Sequence, residues 1–390
     1  MTSPVTSPAG ERRLLLGSGP SPVPQRVLDA LARPTLGHLD PRFGEVMEDV
    51  ARLLRATFQT ANDVTLPLSA TGSGGMQMLV DALVVPGDRV VCGVHGAFGA
   101  RMADALGRAG AEVEVVEAAW GRAIPVERLT AALRPGDRAL FVVHGETSTG
   151  VCQPLDGLGD AAHEAGALLF VDCVTSLAGQ PLDLDAAGVD AAFSGSQKCL
   201  NAPPGLAPFT AAPRALERLS RRSWYFDLAA YLGYWRPEGD GARVYHHTAP
   251  TNMVVALREA LAVVQEEGLE ARWARHAVAH EALRRALEVL GLERIAPAGE
   301  QLHPLLAVRV PDGVDEAAVR GALLRDHGIE VSGGLGPFAG AAWRVGVMGE
   351  GARPEAQERL VGALAGLLGA DAPAALRALD EGWRGAEVRS

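Results

Sequence analysis

Short apolar runs alternate with amphipathic stretches between about residues 64 and 209, and this alternation decides the fold class. The apolar runs predict strands at residues 89–94, 112–117, 139–144, 167–172 and 191–194. The stretches between them carry apolar residues at helical spacing and predict helices at residues 76–84, 99–108, 126–133 and 155–164. Strands that alternate with helices form right-handed βαβ units. The chain is therefore predicted to be an α/β protein with a mainly parallel sheet.

The pattern changes after Pro213. A helical stretch comes first, followed by a Tyr-, Trp- and Gly-rich segment at 224–245 and a long helical run at 252–290 with a bend near Gly268. The later elements are strands at 305–310 and 343–347, a helix at 316–327 and a glycine-rich loop at 332–340. We predict three parts: an N-terminal extension (1–20), a large domain (21–252) and a smaller C-terminal α+β domain (253–390).

Composition excludes several classes of function. The 390 residues carry a formal net charge of −11, and this acidic balance argues against binding nucleic acid or an anionic membrane surface. The apolar stretches are far shorter than the roughly 20 residues of a membrane-spanning helix, and the N-terminus lacks the pattern of a secretory signal. The four cysteines lie far apart and form no C-x-x-C pair, so we expect no metal site, no disulfide framework and a cytoplasmic location.

Lys198 is the only lysine among the 36 basic residues Lys and Arg. Such a bias is typical of a GC-rich genome, in which Arg serves at most surface positions. Unlike Arg, a lysine can lose its proton near neutral pH and act as a base or as a Schiff-base nucleophile. Chance retention is the alternative, but the pattern favours a chemical role for Lys198.

Further candidates follow the predicted strands. A glycine-rich segment, residues 70–75, precedes a helix and offers free N–H groups to an anion, although a plain turn is an equal alternative. Asp172 ends a strongly apolar strand, where a carboxylate needs a cation or a role as a helix cap. The segment from Asp172 to Lys198 is long enough for one βαβ crossover, which predicts that both side chains open onto one crevice.

A phosphate site, a buried acid and a lone amine are together what pyridoxal 5'-phosphate requires. The lysine forms the Schiff base, the aspartate pairs with the pyridinium nitrogen, and the helix terminus takes the phosphate. The convergence of these groups on strand ends predicts this cofactor.

Three segments also resemble the class V aminotransferases, specifically the alanine-glyoxylate and serine-glyoxylate (serine-pyruvate) branch: GETSTG at 145–150, VDCVTSL at 171–177 and SGSQKCLNAPPG at 194–205. Further matches lie at 19–21, 245–250 and 343–349, so the resemblance runs over nearly the whole chain. It implies a fold-type I enzyme with a seven-stranded, mainly parallel sheet in its large domain. It also implies a homodimer with active sites at the subunit interface.

The resemblance assigns the residues around the cofactor ring. Lys198 is the Schiff-base lysine, and Asp172 is the partner of the ring nitrogen. Phe98 falls where relatives usually carry a Trp against one ring face, Val174 covers the other face, and Thr147 places a hydroxyl nearby. Phe98 still stacks but lacks the indole N–H and some area, so weaker cofactor binding is expected.

The resemblance also assigns the phosphate and substrate sites. Arg344 is expected to clamp the substrate carboxylate as a bidentate fork. The phosphate ligands that it implies, the last two from the partner subunit, are Ser73, Gly74, Gly75, Gln197, Tyr245 and Thr248. Gly75 stands where many relatives carry His. The segment 37–43, at the expected substrate entrance, matches no single substrate class.

The predicted activity is transamination in two half-reactions, from alanine or serine to glyoxylate or pyruvate. A ureidoglycine-glyoxylate aminotransferase remains an alternative, as does a catalytically idle protein of the same fold. A cysteine desulfurase is disfavoured, because Phe98 replaces the usual ring-stacking His and no cysteine lies on a suitable loop.

Overall fold

The computed structural model describes residues 13–236 and 243–387. The strands are β1 (Leu14–Leu15), β2 (Val64–Leu68), β3 (Arg89–Val94), β4 (Glu112–Glu117), β5 (Ala139–Val143), β6 (Gly145–Glu146), β7 (Val151–Cys152), β8 (Leu168–Asp172), β9 (Ala191–Phe193), β10 (Ala207–Ala211), β11 (Leu305–Arg309), β12 (Ile329–Glu330), β13 (Ser332–Gly333) and β14 (Ala342–Gly346). The helices are α1 (Gln25–Leu31), α2 (Pro41–Phe58), α3 (Gly72–Leu83), α4 (Ala97–Arg108), α5 (Val126–Ala131), α6 (Leu158–Glu164), α7 (Pro213–Leu216), α8 (Leu228–Trp235), α9 (Thr251–Glu267), α10 (Leu269–Val289), α11 (Glu316–Asp326), α12 (Pro354–Leu368) and α13 (Ala372–Glu387).

The central sheet has seven strands in the order β2-β10-β9-β8-β5-β3-β4. All neighbours pair in parallel except β10, which runs antiparallel to both β2 and β9. Strands β2, β5, β8, β9 and β10 are buried along their whole length, because helices cover both faces of such a sheet. The prediction of an α/β fold with a seven-stranded, mainly parallel sheet is confirmed.

The connection between β8 and β9 differs from the prediction of a βαβ crossover. Residues 173–190 form successive turns and contain no helix. The two strands are nevertheless adjacent and parallel, with Asp172 paired to Phe193 in register. Their carboxyl ends therefore meet at the same edge of the sheet, which is the feature that brings Asp172 and the Lys198 loop together.

The predicted helical run 252–290 is two helices, α9 and α10, that meet at Gly268. Gly268 has a φ of +80°, a left-handed conformation that favours glycine, and this residue ends the first helix. Strands β11, β14 and β13 then form a separate antiparallel sheet. None of the described helices is long and apolar enough to cross a membrane.

Buried side chains form two apolar cores. One surrounds the central sheet and includes Val254, Leu257 and Leu261 of α9. The other is built from α10 to α13 and the small antiparallel sheet, and it includes Leu16. We propose that these cores correspond to two domains with a boundary near Gly268 rather than at residue 253, because α9 packs in the first core.

The N-terminal segment packs against the body of the protein from Arg13 onward. Strand β1 pairs in parallel with β12, and Leu16 O accepts a hydrogen bond from Gly346 N (2.8 Å). We therefore propose that residues 13–20 belong structurally with the second core. Residues 1–12 of the predicted N-terminal extension lie outside the described residues.

Candidate active site

A cavity of about 340 Å³ opens at the carboxyl edge of the central sheet. Eight of the residues predicted from sequence line it together: Ser73, Phe98, Thr147, Asp172, Val174, Gln197, Lys198 and Arg344. Seven of them lie at or just beyond the carboxyl ends of strands of the central sheet, as expected for an open parallel sheet, and Arg344 comes from β14 of the small antiparallel sheet. The position of this cavity makes it the candidate active site.

Lys198 lies in the loop after β9 and is 7% exposed. Burial lowers the pKa of its amine to about 8, and the nearby Arg344 charge acts in the same direction. The Nζ atom donates a hydrogen bond to Ser18 O of the N-terminal segment. Because this pKa lies near neutrality, the amine can exist unprotonated, the form that acts as a nucleophile or a base.

The Lys198 loop is tied to the N-terminal segment from its other side. Ser21 Oγ donates to Lys198 O (2.7 Å), and Asn201 Nδ2 donates to Ser21 Oγ (2.9 Å). Asn201 has a φ of +54°, and its side-chain oxygen accepts from Arg272 Nη2 (2.9 Å). These buried contacts hold the backbone that carries the lysine, so the amine approaches the cavity from one direction.

Asp172 ends β8 and is also 7% exposed. Burial raises the pKa of its carboxyl group to about 7, and the Val174 N–H that it accepts (2.8 Å) opposes this rise. That N–H is the carboxylate's single hydrogen-bond donor among the described residues. A buried acid with so little compensation suits a cationic partner such as a protonated ring nitrogen.

Phe98 and Val174 line the cavity, as expected for side chains that cover the faces of a flat ring. Phe98 lies in the first turn of α4, and the Arg101 guanidinium is 4.7 Å from the centre of its ring. Val174 lies two residues after Asp172, and its Cγ2 atom lies 3.2 Å from where a Cβ on Gly72 would be. A larger residue at position 72 would press against the Val174 side chain.

The N-terminus of α3 carries the predicted phosphate residues, but they do not all face the cavity. Gly72 and Ser73 line it, whereas Gly74 and Gly75 do not. The N–H groups of Gly74 and Gly75 donate to Thr71 O, at 2.7 and 3.1 Å. A Cβ on Gly74 would lie 2.3 Å from the Ala70 Cβ, and one on Gly75 would lie 3.0 Å from the Phe193 Cβ, so both positions pack against protein.

Two further groups complete the polar end of the cavity. Gln197 lines it, and its Oε1 atom is buried without a hydrogen-bond partner among the described residues. Arg101 reaches Ser73 Oγ (3.3 Å) and forms no ion pair with a described carboxylate. An unpaired guanidinium and a helix N-terminus beside Ser73 fit a phosphate group.

Arg344 lies in the middle of β14 and is 8% exposed. Its Nε donates to Gly333 O (2.7 Å), and its Nη1 makes a longer contact with Thr147 O (3.4 Å). Burial lowers the pKa of the guanidinium, yet none of the ion pairs in residues 13–236 and 243–387 includes it. A buried arginine held by backbone oxygens alone can bind a carboxylate.

Tyr245, Thr248 and the segment 37–43 lie outside this cavity. Tyr245 is 56% exposed, Thr248 is exposed, and their hydroxyl groups are 3.3 Å apart. Thr248 shares a second groove with Gly37 and His38, and the His38 ring lies 5.3 Å from the Tyr245 ring. Within one chain these residues therefore form a separate surface.

Sequence reasoning missed several residues that line the cavity: Ser18, Gly19, Pro20, Met76, Arg101, Thr175 and Leu335. Gly19 has a φ of +110°, and a Cβ there would lie 2.8 Å from Lys198 Cδ. The Gly-Pro-Ser match at 19–21 was the only sequence signal for the N-terminal group. Arg101 gave no signal, because it is one of many arginines on a helical pattern.

The fold and these groups define a pyridoxal-phosphate-dependent enzyme, whose cavity is lined by a single buried lysine, a buried acid and a buried arginine. Among the described residues, no cluster of three or more potential metal ligands accompanies them. The chain matches the family Aminotransferase class-V over residues 13–339, and it belongs to that family. The protein is a pyridoxal-phosphate-dependent transaminase, as the resemblance predicted.

The chain is also similar to individual aminotransferases of known name. The chain is 38% identical over 353 residues to the alanine–glyoxylate aminotransferase of Drosophila melanogaster, across 88% of this chain and 89% of that protein. The crystal structure of an alanine–glyoxylate aminotransferase from Nostoc sp. is 45% identical with a TM-score of 0.89, covering 94% of this chain and 97% of that one. A ureidoglycine–glyoxylate aminotransferase from Bacillus subtilis is 33% identical with a TM-score of 0.93, covering 96% and 99%.

Proposed function

We propose that the protein transfers an amino group from L-alanine or L-serine to glyoxylate or pyruvate. The observation that carries this proposal is the size of the cavity around Lys198 and Arg344. Ligand pockets run from about 300 to 1,000 Å³, and this one, at about 340 Å³, must hold both cofactor and substrate. With Gly19 packed against Lys198, little room remains for a substrate side chain.

The proposed roles of the residues follow from their surroundings. Arg344 holds the substrate carboxylate, because its guanidinium has no other anionic partner among the described residues. Lys198 carries the cofactor between turnovers and, once free, moves the proton from the substrate Cα, since burial lowers the pKa of its amine to about 8 and so makes the unprotonated form accessible near neutral pH. Pyridoxal phosphate, when bound, supplies the electron sink, and Asp172 keeps its ring nitrogen protonated.

The remaining cavity residues would hold the cofactor. Phe98 and Val174 cover its ring, and Thr147 lies 3.2 Å from the Thr175 hydroxyl in the buried wall beside it. Ser73 and Gln197 would take the phosphate, with Gly74 and Gly75 acting through the N-terminal turn of α3.

A second donor, ureidoglycine, is kept as an alternative. It rests on the similarity to the Bacillus subtilis enzyme named for that substrate. Its polar group would need hydrogen-bond partners, and the cavity offers the side chains of Thr147, Thr175 and Gln197. Alanine remains the first candidate because it needs no such partners.

The test is a spectroscopic titration of the purified holoenzyme. L-Alanine, L-serine, L-aspartate and ureidoglycine are added in turn, and the visible band of the bound cofactor is followed. Under the proposal, alanine or serine bleaches the band, and glyoxylate or pyruvate restores it. Bleaching by ureidoglycine alone would favour the alternative, and a Lys198→Ala protein is the control without a band.

We also infer that two copies of the chain complete each active site. Tyr245 and Thr248 would then contact the cofactor of the partner subunit. An exposed apolar group supports this inference, since Leu39, Trp224, Val244 and Tyr245 are between 56% and 73% exposed. Such side chains on a surface typically mark an interface.

Mixing two inactive variants tests the shared site. Lys198→Ala and Tyr245→Ala proteins are unfolded together and refolded. In a hybrid dimer, the intact lysine of one subunit meets the intact tyrosine of the other, so about a quarter of all sites should recover. If Tyr245 served its own subunit, no mixture would regain activity. Sedimentation of the wild-type protein gives the oligomeric state.

The cytoplasmic location also remains a proposal. Its support is that all four cysteines, Cys92, Cys152, Cys173 and Cys199, are free thiols, as expected in a reducing compartment. Cell fractionation with an antibody against the chain would test it, and recovery of the protein outside the cytoplasm would contradict it.

A further inference from the structure

Glu146 is a buried carboxylate that the proposed reaction does not use. It ends β6, and its side chain is fully buried beneath the candidate active site. No cation pairs with it in the described part of the chain. Instead, one oxygen accepts from Phe98 N (3.1 Å) and Gly99 N (3.3 Å), and the other accepts from Ser148 N (3.0 Å) and Ser148 Oγ (2.6 Å).

These contacts cap the N-terminus of α4. The N-cap position is Gly96, which has no side chain to accept the free N–H groups of the first turn. Ser148 Oγ accepts from Ala97 N (2.9 Å), while Glu146 takes the next two N–H groups. The helix is therefore capped by a loop that lies about fifty residues further along the sequence, rather than by its own N-cap residue.

The glycine at position 96 is required by this arrangement. A Cβ there would lie 2.4 Å from both the Glu146 carboxyl carbon and Ser148 Oγ. Ser, Asp or Asn, the usual N-cap residues, would collide with the carboxylate. Glycine at the N-cap thus leaves room for the Glu146 carboxylate, which accepts the N–H groups that an N-cap side chain would otherwise accept.

The residue fixed most directly is Phe98. Its backbone N–H is held by Glu146, and its ring lines the cavity. The favourable dipole of the α4 N-terminus stabilises the carboxylate in return, which explains how a buried charge is tolerated without a counterion.

We propose that Glu146 is a positioning residue for the cofactor, acting by fixing the first turn of α4 so that the Phe98 ring covers the cofactor ring. The inference rests on the proposed role of Phe98. A residue that only stabilised the helix would support the fold without acting through that ring, and the two cases are separable by experiment.

The experiment measures the dissociation constant of pyridoxal phosphate for the apoprotein, by absorbance, in a double-mutant cycle. Glu146→Gln keeps the size of the side chain but turns an amide NH₂ toward one pair of donors. Loss of buried hydrogen bonds of this kind predicts a dissociation constant raised about tenfold. Phe98→Leu raises it independently, because the stacked ring is lost.

The cycle decides between the two cases. If Glu146 acts through Phe98, the double variant binds pyridoxal phosphate no more weakly than Phe98→Leu alone. Effects that multiply would overturn the proposal, as would wild-type affinity in Glu146→Gln. Phe98→Leu with unchanged affinity would instead remove the proposed role of Phe98 itself, and this inference with it.

Two further variants serve as a control and as a substitute for Glu146→Gln. Asp190→Asn removes another buried carboxylate, which accepts a hydrogen bond from Leu169 N (2.8 Å) at the amino-terminal ends of β8 and β9, away from the cavity. This change should leave the dissociation constant unchanged. If Glu146→Gln does not fold, Ser148→Ala replaces it in the same cycle. That change removes one hydrogen bond to Glu146 and one to Ala97, with an expected effect of about threefold.

Discussion

Replacing Asp172 with asparagine should raise the free energy of unfolding of the apoprotein. With pyridoxal phosphate bound, the same change should lower it. The asparagine side chain keeps an oxygen for the Val174 N–H but removes the ionisable group. Since burial raises the pKa of Asp172 to about 7, the folded apoprotein binds a proton that the unfolded chain releases. Folding of the wild-type apoprotein is therefore penalised once the carboxyl group must ionise.

The size of this penalty follows from the shift. The pKa rises from 3.8 in the unfolded chain to about 7 in the folded one. Each pH unit between these values removes about 1.4 kcal/mol of stability, so the total reaches about 4 kcal/mol above pH 7. Stability is highest below the unfolded value and is lost as the pH rises through the folded one. The amide has no such dependence.

Chemical denaturation of both apoproteins between pH 4 and pH 8 measures this difference. We expect equal free energies of unfolding near pH 4 and an advantage for Asp172→Asn that grows to about 4 kcal/mol at pH 8. Pyridoxal phosphate should reverse the order, because the cationic ring nitrogen stabilises the aspartate and not the amide. Groups that do not interact with Asp172 titrate alike in both proteins and cancel in the comparison.

A pH-independent difference between the two apoproteins would refute this reasoning. It would mean that Asp172 is hydrated or paired enough to ionise at its ordinary pKa. An unchanged affinity of Asp172→Asn for pyridoxal phosphate would refute the second half, the pairing with the ring nitrogen.

The remaining predictions concern single side chains of the cavity. Lys198→Ala should show no visible band with pyridoxal phosphate and no transamination, and full turnover in that protein would contradict the proposed mechanism. Arg344→Gln should lower kcat/KM for L-alanine by about 10- to 100-fold in initial-rate assays, since it removes charge-assisted hydrogen bonds to the carboxylate. Arg101→Gln should raise the dissociation constant of pyridoxal phosphate about tenfold, while Arg101→Lys, which keeps the charge near Ser73, should raise it less. Gly19→Ala should reduce turnover, because its Cβ would lie 3.0 Å from Lys198 Nζ. An unchanged rate would show that the N-terminal segment shifts to make room for the methyl group and that this contact does not limit the reaction.

Local patterns in the sequence were sufficient to predict much of the secondary structure around the site. Strands β3 and β4 have the predicted bounds, because apolar alternation and flanking turns are encoded by neighbouring residues. Helix α3 begins four residues earlier than the apolar period indicates, at Gly72, since glycines carry no periodic signal. The sequence pattern also predicted a βαβ crossover between β8 and β9 where the structure has no helix, because a series of turns can span the same distance.

The identity of the reactive residues was partly readable as well. Lys198 stands out in a chain that otherwise uses arginine, and Asp172 stands out at the end of an apolar strand. Arg101 did not stand out, because arginines are common on surface helices, and Glu146 was noted only as part of the GETSTG segment, without a role of its own. Their importance depends on what lies opposite them, Ser73 and Phe98 for the first and the α4 N-terminus for the second.

By itself, then, the sequence determined the α/β class, the strands and the chemistry of the lone lysine, since each depends on residue type and short-range spacing. The tertiary structure decided which groups share the cavity, how burial moves the pKa values of Lys198 and Asp172 toward neutrality, and which carboxylate caps α4. The physical reason is that desolvation and hydrogen bonding depend on what surrounds a group in space. Residues far apart in the chain supply those surroundings, and only folding brings them together.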